Sequence, residues 1–361
     1  MRAGEGSRLA EPKETSITAA IYPKEVRTVA KDFTICVGTV GAGVWHGPDG
    51  GEKWRRSKMN LPFHAEPGEI QIRALAVSPQ NPHILFAGSE VGLYRSEDKG
   101  ATWNLVESPM DGRQIWSVAV HPSDPDILFA GTKPPGVFRS MDGGKRWEQV
   151  SIGIAEQCFA GAPKVTNIVF DPRDHRTVWV GVEIDGVFCS RDGGDTWTHL
   201  PPLGDSFLNQ DVHGLTISLG LPAKLLVTTP DGIWTSTDEG ASWSLHGFPR
   251  FYEKDRISYC RGVALKPDDP DVIFVGNGDF IPGKTGAVRR SKDGGKTWEA
   301  VPLPVEPNST IYWFATHPAD PDIIVANSLH GYVYTSSDGG DSWKKVEQEF
   351  GEIRALAWVP N

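Results

Sequence analysis

From Ile72 to Val106 the chain carries four short apolar runs, RALAV, ILFAG, GLYRS and TWNLV. They are separated by SPQNP, SEV and EDKG, which supply the Pro, Asn, Asp, Ser and Gly of turns. Runs of this length with such punctuation predict β-strands rather than helices. The inner runs are apolar on both faces, which predicts strands covered by neighbours on both sides.

The same unit recurs along the chain. Its sharpest signal is S-x-D-x-G-x-x-W, with the Asp at 98, 142, 192, 238, 293 and 338; a seventh copy at Asp49 has Gly47 in place of Ser. Successive copies lie 44–55 residues apart, and each keeps its tryptophan (Trp54, Trp103, Trp147, Trp197, Trp243, Trp298, Trp343). Four strands per repeat of this length describe one blade of a β-propeller. The ends are informative too. GEIRALAWVPN at the C-terminus repeats the first-strand text EIQIRALAVSPQ, whereas the unit beginning near Phe33 lacks a first strand. The C-terminal strand is therefore expected to complete the first blade, close the ring and leave no free blade edge. The expected fold class is all-β, a single seven-bladed β-propeller over residues 17–361, with residues 1–16 as a disordered tail.

S-x-D-x-G-x-x-W is identified as the Asp-box, or BNR repeat, and nearly the whole chain resembles a propeller of that family. Relatives by fold include sialidases, xyloglucan-degrading hydrolases, sortilin-type receptors and photosystem II assembly factors, so the fold does not choose the function. The resemblance implies that each box forms the turn between the third and fourth strands, on the rim opposite the ligand face. Asp293, Asp338 and their counterparts are then structural: the carboxylate accepts backbone N–H bonds and the Gly permits positive φ.

Composition narrows the classes. A net charge of −10 argues against nucleic acid or an anionic membrane as a partner. No apolar run approaches the roughly 20 residues that span a bilayer, and the N-terminal text shows no secretory signal. Four cysteines without C-x-x-C spacing (Cys36, Cys158, Cys189, Cys260) read as reduced thiols and favour a cytoplasmic location.

Propeller ligands sit at the channel mouth, reached by the start of each first strand and the turn between the second and third strands. Aligning the first strands on the residues that end them puts Arg73, Trp116, Thr166, His213, Arg261, Tyr312 and Arg354 at one level. Arg261, Tyr312, Arg354 and Arg73 come from consecutive blades and make a cationic half-ring facing Trp116, Thr166 and His213. Guanidinium forks bind carboxylate, sulfate or phosphate; alternatively these arginines pair with Asp211, Glu352 or Glu69. The turns add Glu90, Lys133, Glu183, Asp185, Asp231, Asn327 and His330, and the longest, residues 276–288, could fold over the mouth.

Candidate catalytic groups are Glu183, Asp211, His213 and Tyr312, with Asp279 as a further acid/base. Candidate ligand-binding residues are Arg73, Trp116, Thr166, Arg261, Arg354, Asn327 and His330. A sialidase reading is weakened by seven blades instead of six and a missing F-R-I-P motif, and a xyloglucanase cleft needs two propellers. His64, His213 and His330 are a conceivable metal set, but no cofactor or metal is expected. The expected function is binding of an anionic or polar, glycan-like small ligand at the mouth, extending to hydrolase or lyase chemistry. The alternative is a noncatalytic assembly scaffold that docks a protein on the same face.

Overall fold

A computed structural model describes residues 33–61, 70–158, 161–254 and 257–361. The expected tail over residues 1–16 lies outside them, as do His64 and Glu69. Seven antiparallel sheets are present, one for each Asp-box. Six take their four strands consecutively. Blade two runs Ile72–Val77, Leu85–Ser89, Leu93–Ser96 and Thr102–Val106, as the four apolar runs predict. Blades three to seven start at Gln114–Val120, Lys164–Asp171, Gly214–Ser218, Tyr259–Lys266 and Ile311–Thr316.

Blade one is composite. Its innermost strand is Ile353–Pro360, which pairs antiparallel with Phe33–Thr39, followed by Gly43–Gly47 and Arg55–Arg56. The register sets Cys36 opposite Ala357 and Val37 opposite Leu356. Closure thus occurs as the sequence implied. One strand was not foreseen: Lys58–Met59 lies parallel to Thr102–Trp103 and covers the outer edge of blade two.

The core lies between blades. Ile35 and Val37 of blade one pack with Val325 and Val333 of blade seven and with Trp358. The box tryptophans join this packing: Trp197 meets Phe129 of the preceding blade at 6.4 Å between centroids, as Trp343 meets Phe274. Within the boxes the aspartates do what the repeat implies. Asp293 Oδ1 accepts from Ser291 Oγ at 2.8 Å and Thr297 N at 2.8 Å, and Oδ2 accepts from Thr297 Oγ1 at 2.6 Å. The Trp298 indole donates to the Gly295 carbonyl at 3.1 Å, where Gly295 has φ +87°. The Trp54 indole N–H of blade one and the Trp243 indole N–H of blade five are buried without a partner among the described residues.

Candidate functional site

The seven aligned leading residues have a common backbone origin. In six first strands the ladder slips by at least one residue, and the residue left out is the leading one. Ile72 pairs with Ser89 and Ala74 with Gly88, skipping Arg73. Trp116, Thr166, Tyr312 and Arg354 are skipped in the same way, and Arg261 with Gly262. Each is a β-bulge, which frees its residue from the ladder and re-aims the side chain. Blade five has none; its first pair is Gly214 with Thr228, and His213 stands just ahead of it. A second-strand glycine admits the neighbouring bulged strand: a Cβ on Gly131 would lie 2.3 Å from Val165, and one on Gly276 2.5 Å from the Ile311 carbonyl oxygen.

The bulged side chains meet around the mouth. The Arg73 guanidinium lies 4.4 Å from the Trp116 ring centroid, and Lys164 Nζ lies 4.7 Å from the same ring. Lys164 pairs with Glu183 at 2.5 Å, and Glu183 forms a backbone bridge to Asp211. Asp211 Oδ2 is 3.3 Å from His213 Nε2. His213 Nδ1 donates to the Cys260 carbonyl at 2.7 Å, and the Tyr259 hydroxyl is 3.1 Å from Nε2. Arg261 stacks on Tyr312 at 4.7 Å; Arg354 donates to the Tyr312 hydroxyl at 3.0 Å and pairs with Glu352.

The electrostatics follow from this crowding. Burial, then Arg354, lowers the Arg73 pKa. Burial also opposes the Arg261 charge, but Tyr312, Tyr259, Glu183 and Asp211 outweigh it and raise the pKa. Burial works against the Asp211 charge as well, yet His213, with Arg261 and Lys164, holds the carboxyl below the ordinary aspartate value. Three polar atoms here are buried without a hydrogen-bond partner among the described residues: Arg73 Nε, Arg261 Nε and Asp211 Oδ1.

The candidates divide accordingly. Arg73, Trp116, His213, Arg261, Tyr312, Arg354, Glu183 and Asp211 come together. Thr166 lines the mouth cavity of about 190 Å³ with Arg73, Trp116 and Trp313, but its hydroxyl is engaged with the Val212 carbonyl at 2.7 Å. Of the arginines, Arg354 pairs with Glu352, as the pairing alternative expects, whereas Arg73 donates to the neutral Gln71 side chain at 2.6 Å. Asn327 is fully buried and donates to the carbonyl of its neighbour Ser328, and His330 is exposed, tied by its backbone to Asn308 and Ser309. Neither contributes a side chain to the ring. Asp279 is occupied as a loop brace, accepting from Lys284 N at 2.9 Å. Sequence reasoning missed Tyr259, Lys164 and Gln71. Among the described residues no group of three or more His, Cys, Asp or Glu is placed to hold a metal ion.

Seven blades, Asp-box turns and a bulged ring at the mouth define a propeller of the Asp-box class. More narrowly, the chain belongs to the Sortilin-Vps10 family, whose description reads "Sortilin, neurotensin receptor 3" and whose model matches residues 91–207 and 231–358. A probable oligoxyloglucan-reducing end-specific xyloglucanase of Neosartorya fischeri is 26% identical over 277 residues, covering 73% of this chain and 31% of that protein. The chain therefore spans about a third of the length of that curated relative. By structure it is similar to the GH74 xyloglucanase from Xanthomonas campestris (TM-score 0.62, 20% identity, 89% of this chain and 51% of that one). It is also similar to YCF48 bound to D1 peptide (TM-score 0.57, 16% identity, 86% of this chain and 87% of that one). At these identities both structures speak to fold.

Proposed function

We propose that the channel mouth binds an anionic, polar small ligand of glycan-like character. One observation carries the reading. Two mouth guanidiniums, Arg73 and Arg261, make no ion pair with a carboxylate among the described residues, and each keeps a buried Nε without a hydrogen bond. A buried donor left unsatisfied costs about 1–3 kcal/mol, which an incoming acceptor would recover. The xyloglucanase relative supports a carbohydrate-like ligand. Hydrolase or lyase chemistry would draw on Glu183 and Asp211, which stand beside the guanidiniums. A cytoplasmic location is part of the same proposal, and the four free thiols are consistent with it.

The test is calorimetric titration of the full chain with small carboxylates at low salt, then at increasing ionic strength. Binding should weaken with salt, because charge attraction is screened, and Arg261→Gln together with Arg73→Gln should abolish it. Binding that ignores both substitutions would overturn the proposal. A docking role on the same face is the second reading. It is favoured by exposed Phe207, Tyr252 and Phe280 in loops around blades five and six, and by the whole-length likeness to YCF48.

A further inference from the structure

Far from the mouth, on the Asp-box rim, two seams between blades share a contact that a third lacks. The residue before the Ser of a box lies near the end of the third strand and faces the box of the next blade. Arg139 of blade three donates from this position to the Gly193 carbonyl at 2.9 Å and to Asp195 at 2.7 Å in the box of blade four. Arg290 of blade six reaches the Gly340 carbonyl at 2.8 Å and Asp341 at 2.7 Å in the box of blade seven. A guanidinium fork suits such a pair of acceptors. The acid is the third residue after the box Asp. Four boxes carry Ala101, Lys145, Ala241 or Lys296 there instead. The one arginine facing any of these four, Arg95 opposite Lys145, turns to Glu97 of its own blade at 3.0 Å.

Blade one carries the acid, Glu52, but blade seven offers Thr335 in place of the arginine. A cavity of about 710 Å³ lies at that seam, lined in part by Phe33, Asp49, Glu52, Trp54, Thr335 and Lys344. Its acceptors are idle. The Asp49 carboxylate, unlike its six counterparts, accepts no hydrogen bond among the described residues, and neither Glu52 nor the adjacent Glu347 forms an ion pair there. Lys344 stands opposite Thr335, where Glu148 stands opposite Arg139 and Glu299 opposite Arg290. It too is unpaired among the described residues, whereas Lys345 pairs with Glu349 at 2.7 Å. Three free carboxylates therefore face one free ammonium, and the cavity attracts a further cation.

The sequence places a cation within reach. Phe33 packs on box one, so closely that a Cβ on Gly50 would lie 3.1 Å from its ring. Arg27 stands six residues before Phe33, a span of about 20 Å at full extension.

We infer that the seam between blades seven and one is a guanidinium-binding site filled by the chain's own Arg27. Arg27 there supplies the arginine–acid bridge that Arg139 and Arg290 make at their seams.

Trypsin acting on the full chain tests this, with cleavage after Arg27 followed by mass spectrometry and cleavage after Arg8 as the internal reference. Relative to that reference, cleavage after Arg27 should be about tenfold slower in the unmodified protein than in Glu52→Gln, the scale of one hydrogen bond to a charged group. Glu52→Asp, which copies the acid of the two bridged boxes, should keep the protection. Thr335→Arg should provide the bridge from blade seven itself and release Arg27 to the protease. Equal cleavage after Arg27 in the unmodified protein and in Glu52→Gln overturns the proposal, as does protection that persists in Thr335→Arg. Protection that grows with protein concentration also overturns it, because the arginine then comes from a second copy. Glu52 is exposed, so its substitution leaves the fold in place and the comparison readable.

Discussion

Gly88 lies so tightly against Ile115 of the next blade that a Cβ on it would stand 2.7 Å from both the Ile115 carbonyl oxygen and its Cγ2. Backbone cannot yield there without moving the bulge that carries Trp116. Gly88→Ala should therefore destabilise the protein by about 1–3 kcal/mol, the range of overpacked cores, and should loosen the mouth as well. Gly351, with nothing within 4 Å of its added Cβ, is the control; Gly351→Ala should change stability by less than about 0.5 kcal/mol. Denaturant unfolding of the two variants checks the contrast.

Closure of the ring is the second expectation. Removing residues 353–361 deletes the innermost strand of blade one, including Val359 and Trp358, which are 0% and 2% exposed. The loss should rival the whole stability of a folded domain, roughly 5–15 kcal/mol, and abolish a cooperative melt. A peptide of the same residues added in trans should restore it. A truncated chain that melts like the intact one would refute the role of this strand.

Acid should act through the Asp-boxes. Bonds from the Thr297 side chain and backbone hold Asp293 down to about 2, and bonds from Ser242 hold Asp238 at about 2. A carboxyl that is more acidic when folded contributes stability that is complete above its unfolded value, roughly 3.9. That contribution is lost as pH falls through the folded value. Stability should thus be retained at pH 5 and fall between about pH 4 and 2. Asp293→Asn should flatten that fall while leaving any ligand affinity at neutral pH unchanged. Urea midpoints measured across this window report it.

Thiol chemistry offers a fourth check. Burial pushes Cys36 up to about 12 and Cys189 to about 11, and raises Cys260 as well. Thiolates are the reactive form, so these three should resist an aromatic disulfide reagent in the native protein. Cys158 is the partly exposed one and should react first, with the others following only on unfolding.

How much of this was legible in the sequence depends on distance along the chain. The boxes, the blade count and the closing strand announce themselves through text repeated within each unit. The leading position was visible too, as a polar interruption at Arg73, Arg261 and Arg354 in otherwise apolar strands. Its cause was not, because a bulge is fixed by the register against Gly88 or Gly131 and leaves no motif of its own. The partners were hidden for the same reason. Tyr259 meets His213 across 46 residues and Arg354 meets Tyr312 across 42, contacts set by blade geometry. Asn327 and His330 stand apart from the ring because position in a turn says nothing of side-chain direction; the first is buried at its own strand end.

The bulges have a consequence for how such a mouth can change. A residue skipped by the ladder bears none of the pairing demands that govern its neighbours, so Arg73 or Trp116 can be exchanged while the strands on either side stay in register. Six blades each contribute one such free position, and blade five contributes His213. The mouth of this scaffold is modular: its lining can be rewritten one blade at a time, leaving the ring that holds it intact.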